Sequence, residues 1–227
     1  MKILRFCFAI FVLSSLYQSS NAQADRFGQW AMYFGQNRIS DKLSIHSEFQ
    51  FRSHEITGFN AEQLMIRTGL NYHFQSNAFA TAGYAFIPSY TYDSPQSEPE
   101  IKEHRIWQQL ITTQQLGRVK FEHRYRIEQR WVNDDYGNRF RYRLMAFLPL
   151  NKERIETGTL FLSAYDEIFV NAEKTFFDRN RLYAALGYQL NQESNVQLGW
   201  LRQALNNSGK YYLQISMIYN PDFRKEE

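Results

Sequence analysis

The residues of this 227-residue chain that could do chemistry come as rows. In VKFEHRYRIEQRW, Lys120, Glu122, Arg124, Arg126, Glu128 and Arg130 stand at every second position, and Arg139, Arg141 and Arg143 repeat the spacing in RFRYRL. Residues two apart share one face of a β-strand, so both segments aim their charges the same way. Left alone, these side chains would repel. They must either pair with acids in a fixed network or line a passage that favours anions.

Turn geometry offers partners. A two-residue turn at Leu116-Gly117 pairs Gln115 with Arg118, which puts Arg105 opposite Glu128, Glu103 opposite Arg130 and Trp107 opposite Arg126. Glu128 then lies opposite Arg141 or Arg143 across the next connection. The expectation is a network of Glu103, Arg105, Glu128, Arg130, Arg141 and Arg143, with Trp107 stacked on Arg126. Glu48, Arg52, Arg67, Arg179 and Arg181 share the polar parity of their own segments and are further members of the set. A network that fills and stiffens an interior is the plainer reading, and an anion passage is the functional one.

Other constellations carry less. His46, Glu48, His73, His104 and His123 lack the spacing of a compact metal motif, so neither metal nor cofactor is expected. Ser163 near Asp166 and Glu167, and Ser47 beside His46, are the only hints of a nucleophile. Ser47 and His46 point to opposite faces and form no dyad by adjacency. There is no GxSxG, P-loop or dinucleotide fingerprint, and the chain is not expected to be an enzyme.

The elements that position the charged rows alternate with period two. Leu43, Ile45, Phe49 and Phe51 oppose Ser44, His46, Glu48, Gln50 and Arg52; Leu64, Ile66, Leu70 and Tyr72 oppose Gln63, Arg67, Asn71 and His73. Later runs repeat the pattern through Leu182 to Leu190, Val196 to Trp200 and Tyr211 to Tyr219. Hydrophobic residues make up 44% of the chain and aromatics 17%, yet the mean hydropathy is −0.54, because apolar and polar residues interleave instead of forming runs. Eleven segments emerge, near 27–36, 43–53, 62–74, 78–87, 102–114, 118–131, 138–149, 158–169, 177–190, 194–203 and 209–220. In 158–169 both faces are partly apolar. If Phe161 and Tyr165 face outward, Asp166 points inward; a bulge near Tyr165 sends Glu167 there instead.

The N-terminus reads as a secretory signal over 1–22: Lys2 and Arg5, an apolar Phe6 to Leu16, then small residues for cleavage after Ala22 or Ala24. The apolar stretch is too short for a spanning helix. Cys7, the one cysteine of the chain, lies inside this segment, so the mature chain has no thiol or disulfide. Losing Lys2 and Arg5 leaves 24 basic against 23 acidic residues, about +1, and nucleic-acid binding has no electrostatic basis.

These features predict one all-β domain over 23–227, an up-and-down antiparallel transmembrane barrel of 10–12 strands. Tight turns (75–77, 116–117, 191–193) alternate with longer loops (54–61, 88–101, 132–137, 170–176, 204–208), as in outer-membrane barrels, although 150–157 is longer than a tight turn. A lipocalin-like barrel and a β-sandwich share the period. Charged rows, Tyr and Trp near strand ends and the export signal favour the membrane. The ten segments from 43 to 220 close by themselves. Segment 27–36 is then a pairing extension, or a companion to a hidden twelfth strand, or a first strand that closes in parallel with the last. The loop 88–101, with three of the five prolines, is expected to be mobile and external. Arg130 and Arg139 stand at the outer rim, where lipopolysaccharide phosphates are candidate partners. A monomer is expected. The final strand, with Tyr219 or Phe223 as its aromatic, suits the barrel-assembly machinery.

WAMYFGQNRISDKLSIHSEFQFR, EHRIWQQL, EHRYRIEQRW, RFRYRL, AYDEIFVN and FDRNRLYAALGYQL together resemble a bacterial outer-membrane family, domain of unknown function 2490, from about Trp30 to Tyr219. The resemblance implies a barrel in a Gram-negative outer membrane and no catalytic residue. The other reading kept open, by resemblance to outer-membrane phospholipase and lipid A deacylase barrels, is a lipid hydrolase with Ser, His and an acid or Asn converging at one end.

Overall fold

A computed structural model describes residues 27–92, 98–173 and 175–224. The signal segment, part of the 88–101 loop and the last three residues lie outside the described residues. The strands are β1 (Phe27–Arg38), β2 (Leu43–Ser53), β3 (Ala61–Gln75), β4 (Ala78–Ser89), β5 (Ile101–Leu116) and β6 (Val119–Val132). They continue as β7 (Asp135–Pro149), β8 (Leu160–Asn171), β9 (Phe177–Gln189), β10 (Ser194–Ala204) and β11 (Gly209–Tyr219). Each strand pairs with its neighbours in sequence, and β1 meets β11, so the sheet closes on itself without an edge.

An odd number of strands cannot alternate direction all the way round. One pair must run parallel, and it is β1 with β11, from Phe27 opposite Tyr211 to Gly35 opposite Tyr219. Of the three roles open to segment 27–36, parallel closure is the one realised. The start of β1 therefore sits at the same end as the longer loops, beside Ser53 of β2. At the other end the C-terminal tail is laced to the β1–β2 turn: Phe223 N donates to Arg38 O at 2.8 Å and Arg224 reaches Asp41 at 2.7 Å. Hydrogen bonds from Arg224 hold the Asp222 carboxyl down to about 2.

Two turns depart from expectation. The β5–β6 turn is Gly117-Arg118, with Gly117 at φ 58° in the left-handed region that a two-residue hairpin demands of its first position. The connection read as a polar loop over 132–137 is a two-residue turn at Asn133 and Asp134, at φ 45° and 76°. Asn and Asp are the side-chain-bearing residues that best tolerate that region, so the two strands run on to Val132 and Asp135.

The faces are inverted relative to a water-soluble barrel. Outward stand Phe49, Ile66, Leu70, Ile106, Ile127, Leu186, Leu198 and Ile215, all exposed. Inward, buried polar and charged residues outnumber buried apolar ones among the described residues. The few polar groups on the outer wall satisfy one another: Gln108 and Gln129 exchange amide bonds at 3.1 and 3.2 Å, His123 Nδ1 lies 2.9 Å from the Tyr142 hydroxyl, and Asn180 donates to Asp166 at 2.5 Å.

Strand β8 corrects an expectation. Phe161 and Tyr165 face the lumen, not the outside, and Glu167 comes inward with them; no bulge at Tyr165 is needed. The irregularity lies further on, between Phe169 and Val170. Two bulky aromatics turn inward because the facing wall leaves room: the rings of Tyr165 and Tyr183 stack at 4.8 Å, and Phe161 packs over Gly187, where a Cβ would collide with its ring.

Candidate functional site

The lumen is the candidate site, and its centre is Glu128. This carboxylate is 0% exposed and takes Arg139 Nη2 at 2.5 Å and Arg141 Nη1 at 2.7 Å. Arg67, Arg105 and Arg126 stand around it at 3.7, 3.8 and 3.9 Å. Two further acids complete the set. Glu167 bridges Arg124 at 2.7 Å and Arg141 at 2.8 Å. Glu103 accepts from Arg105 Nε and Arg130 Nε, both at 2.5 Å. Burying a carboxylate is expensive unless every lone pair finds a donor, and here each acid is shared between guanidiniums on different strands. The network therefore clamps β2, β3 and β5 through β8 to one another across the barrel.

The register differs from the one that turn arithmetic anticipates. With the turn at Gly117-Arg118, Trp107 lies opposite Glu128, Arg105 opposite Arg130 and Gln109 opposite Arg126. The shift is two residues, which keeps every side chain on its face and exchanges only cross-strand partners. Long guanidinium side chains absorb the change by reaching diagonally, so Arg130 still bonds Glu103 and Arg126 Cζ still lies over Trp107, 4.8 Å from the ring centroid. Arg105 does not: its close partner is Glu103 on its own strand. Glu128 stands opposite Arg139, not Arg141 or Arg143, because the tight Asn133-Asp134 turn fixes that pairing. Arg143 turns instead to Glu122 at 2.5 Å, and Lys120 Nζ lies 5.9 Å from the Phe147 ring centroid.

The remaining candidates divide. Glu48 binds Arg67 at 3.0 Å and His46 Nε2 at 3.0 Å, which makes His46 part of an ion-pair cluster. Arg179 pairs with Asp178 at 2.8 Å. Arg52 and Arg181 have no carboxylate at hydrogen-bond distance among the described residues. Arg52 Cζ stacks 3.8 Å from the centroid of Trp30, and its nearest acid oxygen is on Glu62, 3.9 Å away. Arg181 donates to Gln203 at 2.9 Å and lies 4.9 Å from Trp30 and 4.8 Å from Phe169. Of the two rim arginines, Arg139 is 2% exposed and tied to Glu128 and Asp178, and the half-buried Arg130 is tied to Glu103.

Several lumen residues escape sequence reasoning. Gln109 accepts both bonds from Arg126, at 2.6 and 3.1 Å, and its parity with Arg105 and Trp107 was the signal. Glu62 turns inward because a bulge opposite Arg52 and Ser53 skips it, so alternation places it on the wrong face. Trp107 fits against the β3–β4 backbone: a Cβ on Gly83 or Gly69 would stand 2.9 or 3.0 Å from its indole.

The serines named from sequence are apart from histidine. Ser163 donates to Gln197 at 2.8 Å, Ser47 is bonded by Asn37 at 3.0 Å on the outer wall, and Asp166 faces outward. A different pair is in contact, Ser44 Oγ and His73 Nε2 at 2.8 Å. Ser44 is 1% exposed and also receives Asn71 Nδ2 at 2.9 Å, while among the described residues no ion pair to a carboxylate orients His73. The pair ends a polar chain from Arg126 through Gln109, Thr81 and Asn71. Among the described residues no group of three or more His, Cys, Asp or Glu could hold a metal ion.

A protein of Methylorubrum extorquens described as uncharacterized is 26% identical to this chain over 151 residues, which is 63% of this chain and 63% of the relative's length. No solved structure matches the chain. The family described as "Protein of unknown function (DUF2490)" matches residues 27–214, nearly the whole barrel from the first strand into the last, and the chain belongs to that family.

Proposed function

We propose that this protein is an outer-membrane barrel that works as a closed structural or interaction element, its lumen packed by its own ion pairs instead of left open as a pore. The observation that carries the reading is the inversion of the wall: Ile, Leu, Phe and Tyr outside, arginine and glutamate inside. Apolar area of that extent facing water would drive aggregation, whereas lipid accepts it. Closure of the sheet satisfies every strand's backbone, which hydrocarbon requires. On the turn side of the arginines, Phe147 packs against Phe161 and Tyr165 stacks on Tyr183 inside the barrel, and these ring pairs support a packed interior.

The four tryptophans test the membrane reading directly. Trp131 and Trp200 are outside, 36% and 40% exposed, while Trp30 and Trp107 are inside, 2% and 0% exposed. In vesicles of brominated lipid, emission from Trp131 and Trp200 is expected to be quenched, and a Trp131→Phe, Trp200→Phe variant is expected to lose that quenching. Equal quenching in both proteins, or none in either, contradicts the reading.

A further inference from the structure

Charge in the lumen does not balance. The central cavity, about 100 Å³, is lined by eleven arginines and only Glu48, Glu103 and Glu167 as acids. Four other carboxylates reach these arginines from behind or from the rim, namely Glu62, Glu122, Glu128 and Asp178. Among the described residues, four guanidiniums remain in excess of the seven acids. An excess of that size in a space that admits little water is unfavourable unless mobile anions supply the missing charge.

The excess is concentrated in one place. Arg52 and Arg181 approach the same indole, Trp30, with Cζ atoms 3.8 and 4.9 Å from its ring centroid, and both line the cavity. Arg52 is 5% exposed, and its Nε is buried without a hydrogen-bond partner. The one acid near it, Glu62, is already occupied by Lys210 Nζ at 3.0 Å and by the Tyr212 hydroxyl at 3.0 Å. Arg181 is held from behind by Gln203, a neutral acceptor, and makes no ion pair among the described residues. Arg126, also held by a neutral glutamine, supplies another under-neutralised guanidinium to the same cavity. Two guanidiniums that approach one indole and line one cavity, with no carboxylate at hydrogen-bond distance among the described residues, leave donors for an oxyanion. Guanidinium presents planar paired donors that match phosphate oxygens.

We infer that the lumen holds a binding site for a small phosphate-class oxyanion in the cavity that Arg52, Arg181 and Trp30 line together. A cavity of this volume admits several waters at about 10–15 Å³ each, and so an inorganic ion, but not a lipid headgroup with its chains. The anion supplies Arg52 and Arg181 with a counter-charge at hydrogen-bond distance, as Glu128 supplies one to Arg139 and Arg141. The inference rests on the closed lumen and not on the membrane, so it can fail while the quenching result stands, and the reverse.

The test uses the full chain refolded in a maltoside detergent, which contains no phosphate. Thermal unfolding and phosphorus-31 NMR are followed as inorganic phosphate replaces chloride at constant ionic strength and pH. The expected result is a saturable rise in unfolding temperature and a broadened, shifted phosphate resonance. Arg181→Gln and Arg52→Gln are each expected to weaken apparent phosphate affinity at least tenfold and to unfold no lower than the parent in chloride, since each removes an unbalanced charge. If one variant does not refold, the other carries the comparison. Arg118→Gln, at the turn rim, is expected to keep the full response. No saturable response in the parent, or an undiminished response in the refolded variants, overturns the inference. So does a response to phosphatidic acid micelles without one to inorganic phosphate, which would assign the effect to lipid headgroups.

Discussion

Around Glu128 the guanidiniums of the lumen meet carboxylates; around Trp30 they meet rings. Both sets line one cavity and differ in what offsets their charge. Arg139 and Arg141 sit on an acid at 2.5 and 2.7 Å, whereas Arg52 and Arg181 sit on an indole face at 3.8 and 4.9 Å. A carboxylate cancels a full charge and leaves a second charge that must itself be paired, while a π face offsets only part of one. Removing a charge should therefore have opposite consequences on the two walls. Where acids are shared, deletion strands the remaining charges; where cations are in excess, deletion relieves them.

The largest effect expected is from Glu128→Gln, which leaves Arg139 only Asp178 and Arg141 only Glu167 and removes the counter-charge that Arg67, Arg105 and Arg126 share. Loss of about 3–5 kcal/mol is expected, read from denaturant unfolding of the refolded barrel. Trp30→Leu attacks the other wall and removes the face under Arg52 together with the indole bond to Gln50 at 3.0 Å, for a loss of about 2 kcal/mol in the same assay. Gly83→Val drives a side chain into the Thr68 carbonyl oxygen, the Gly69 backbone and the Trp107 indole, and this overpacking should cost about 1–3 kcal/mol, with a change in near-ultraviolet circular dichroism from the inner indole. Arg181→Gln is expected to be the mildest, within about 1 kcal/mol of the parent and on the stabilising side in chloride. A loss from Arg181→Gln as large as that from Glu128→Gln would erase the distinction between the walls.

Much of this was legible in the sequence, for a simple reason. A period of two assigns each residue to a face whatever the register, so Lys120 through Arg130 and Arg139 through Arg143 could be placed in the lumen together. Partners could not be assigned in the same way. They depend on where a turn falls, and moving the β5–β6 turn from Leu116-Gly117 to Gly117-Arg118 exchanged every cross-strand neighbour while leaving the faces intact. Bulges defeat the face rule itself, and Glu62 is the example. Tyr165 and Glu167 share a parity, but an aromatic in the lumen of an apolar-out barrel runs against the pattern that otherwise identifies the wall. The arginines without acids were invisible for a different reason. Arg52, Arg181 and Trp30 belong to β2, β9 and β1, which converge only because the first strand closes in parallel with the last.

The central claim is that the lumen is shut by its own charges and rings. Single-channel recording in a planar bilayer tests it most directly, with the parent protein beside Glu128→Gln. The account predicts no steady current from correctly folded parent protein, and intermittent anion-preferring openings once Glu128 no longer holds Arg139 and Arg141. Steady anion-selective current from the parent would contradict it and make the arginine rows the lining of a pore.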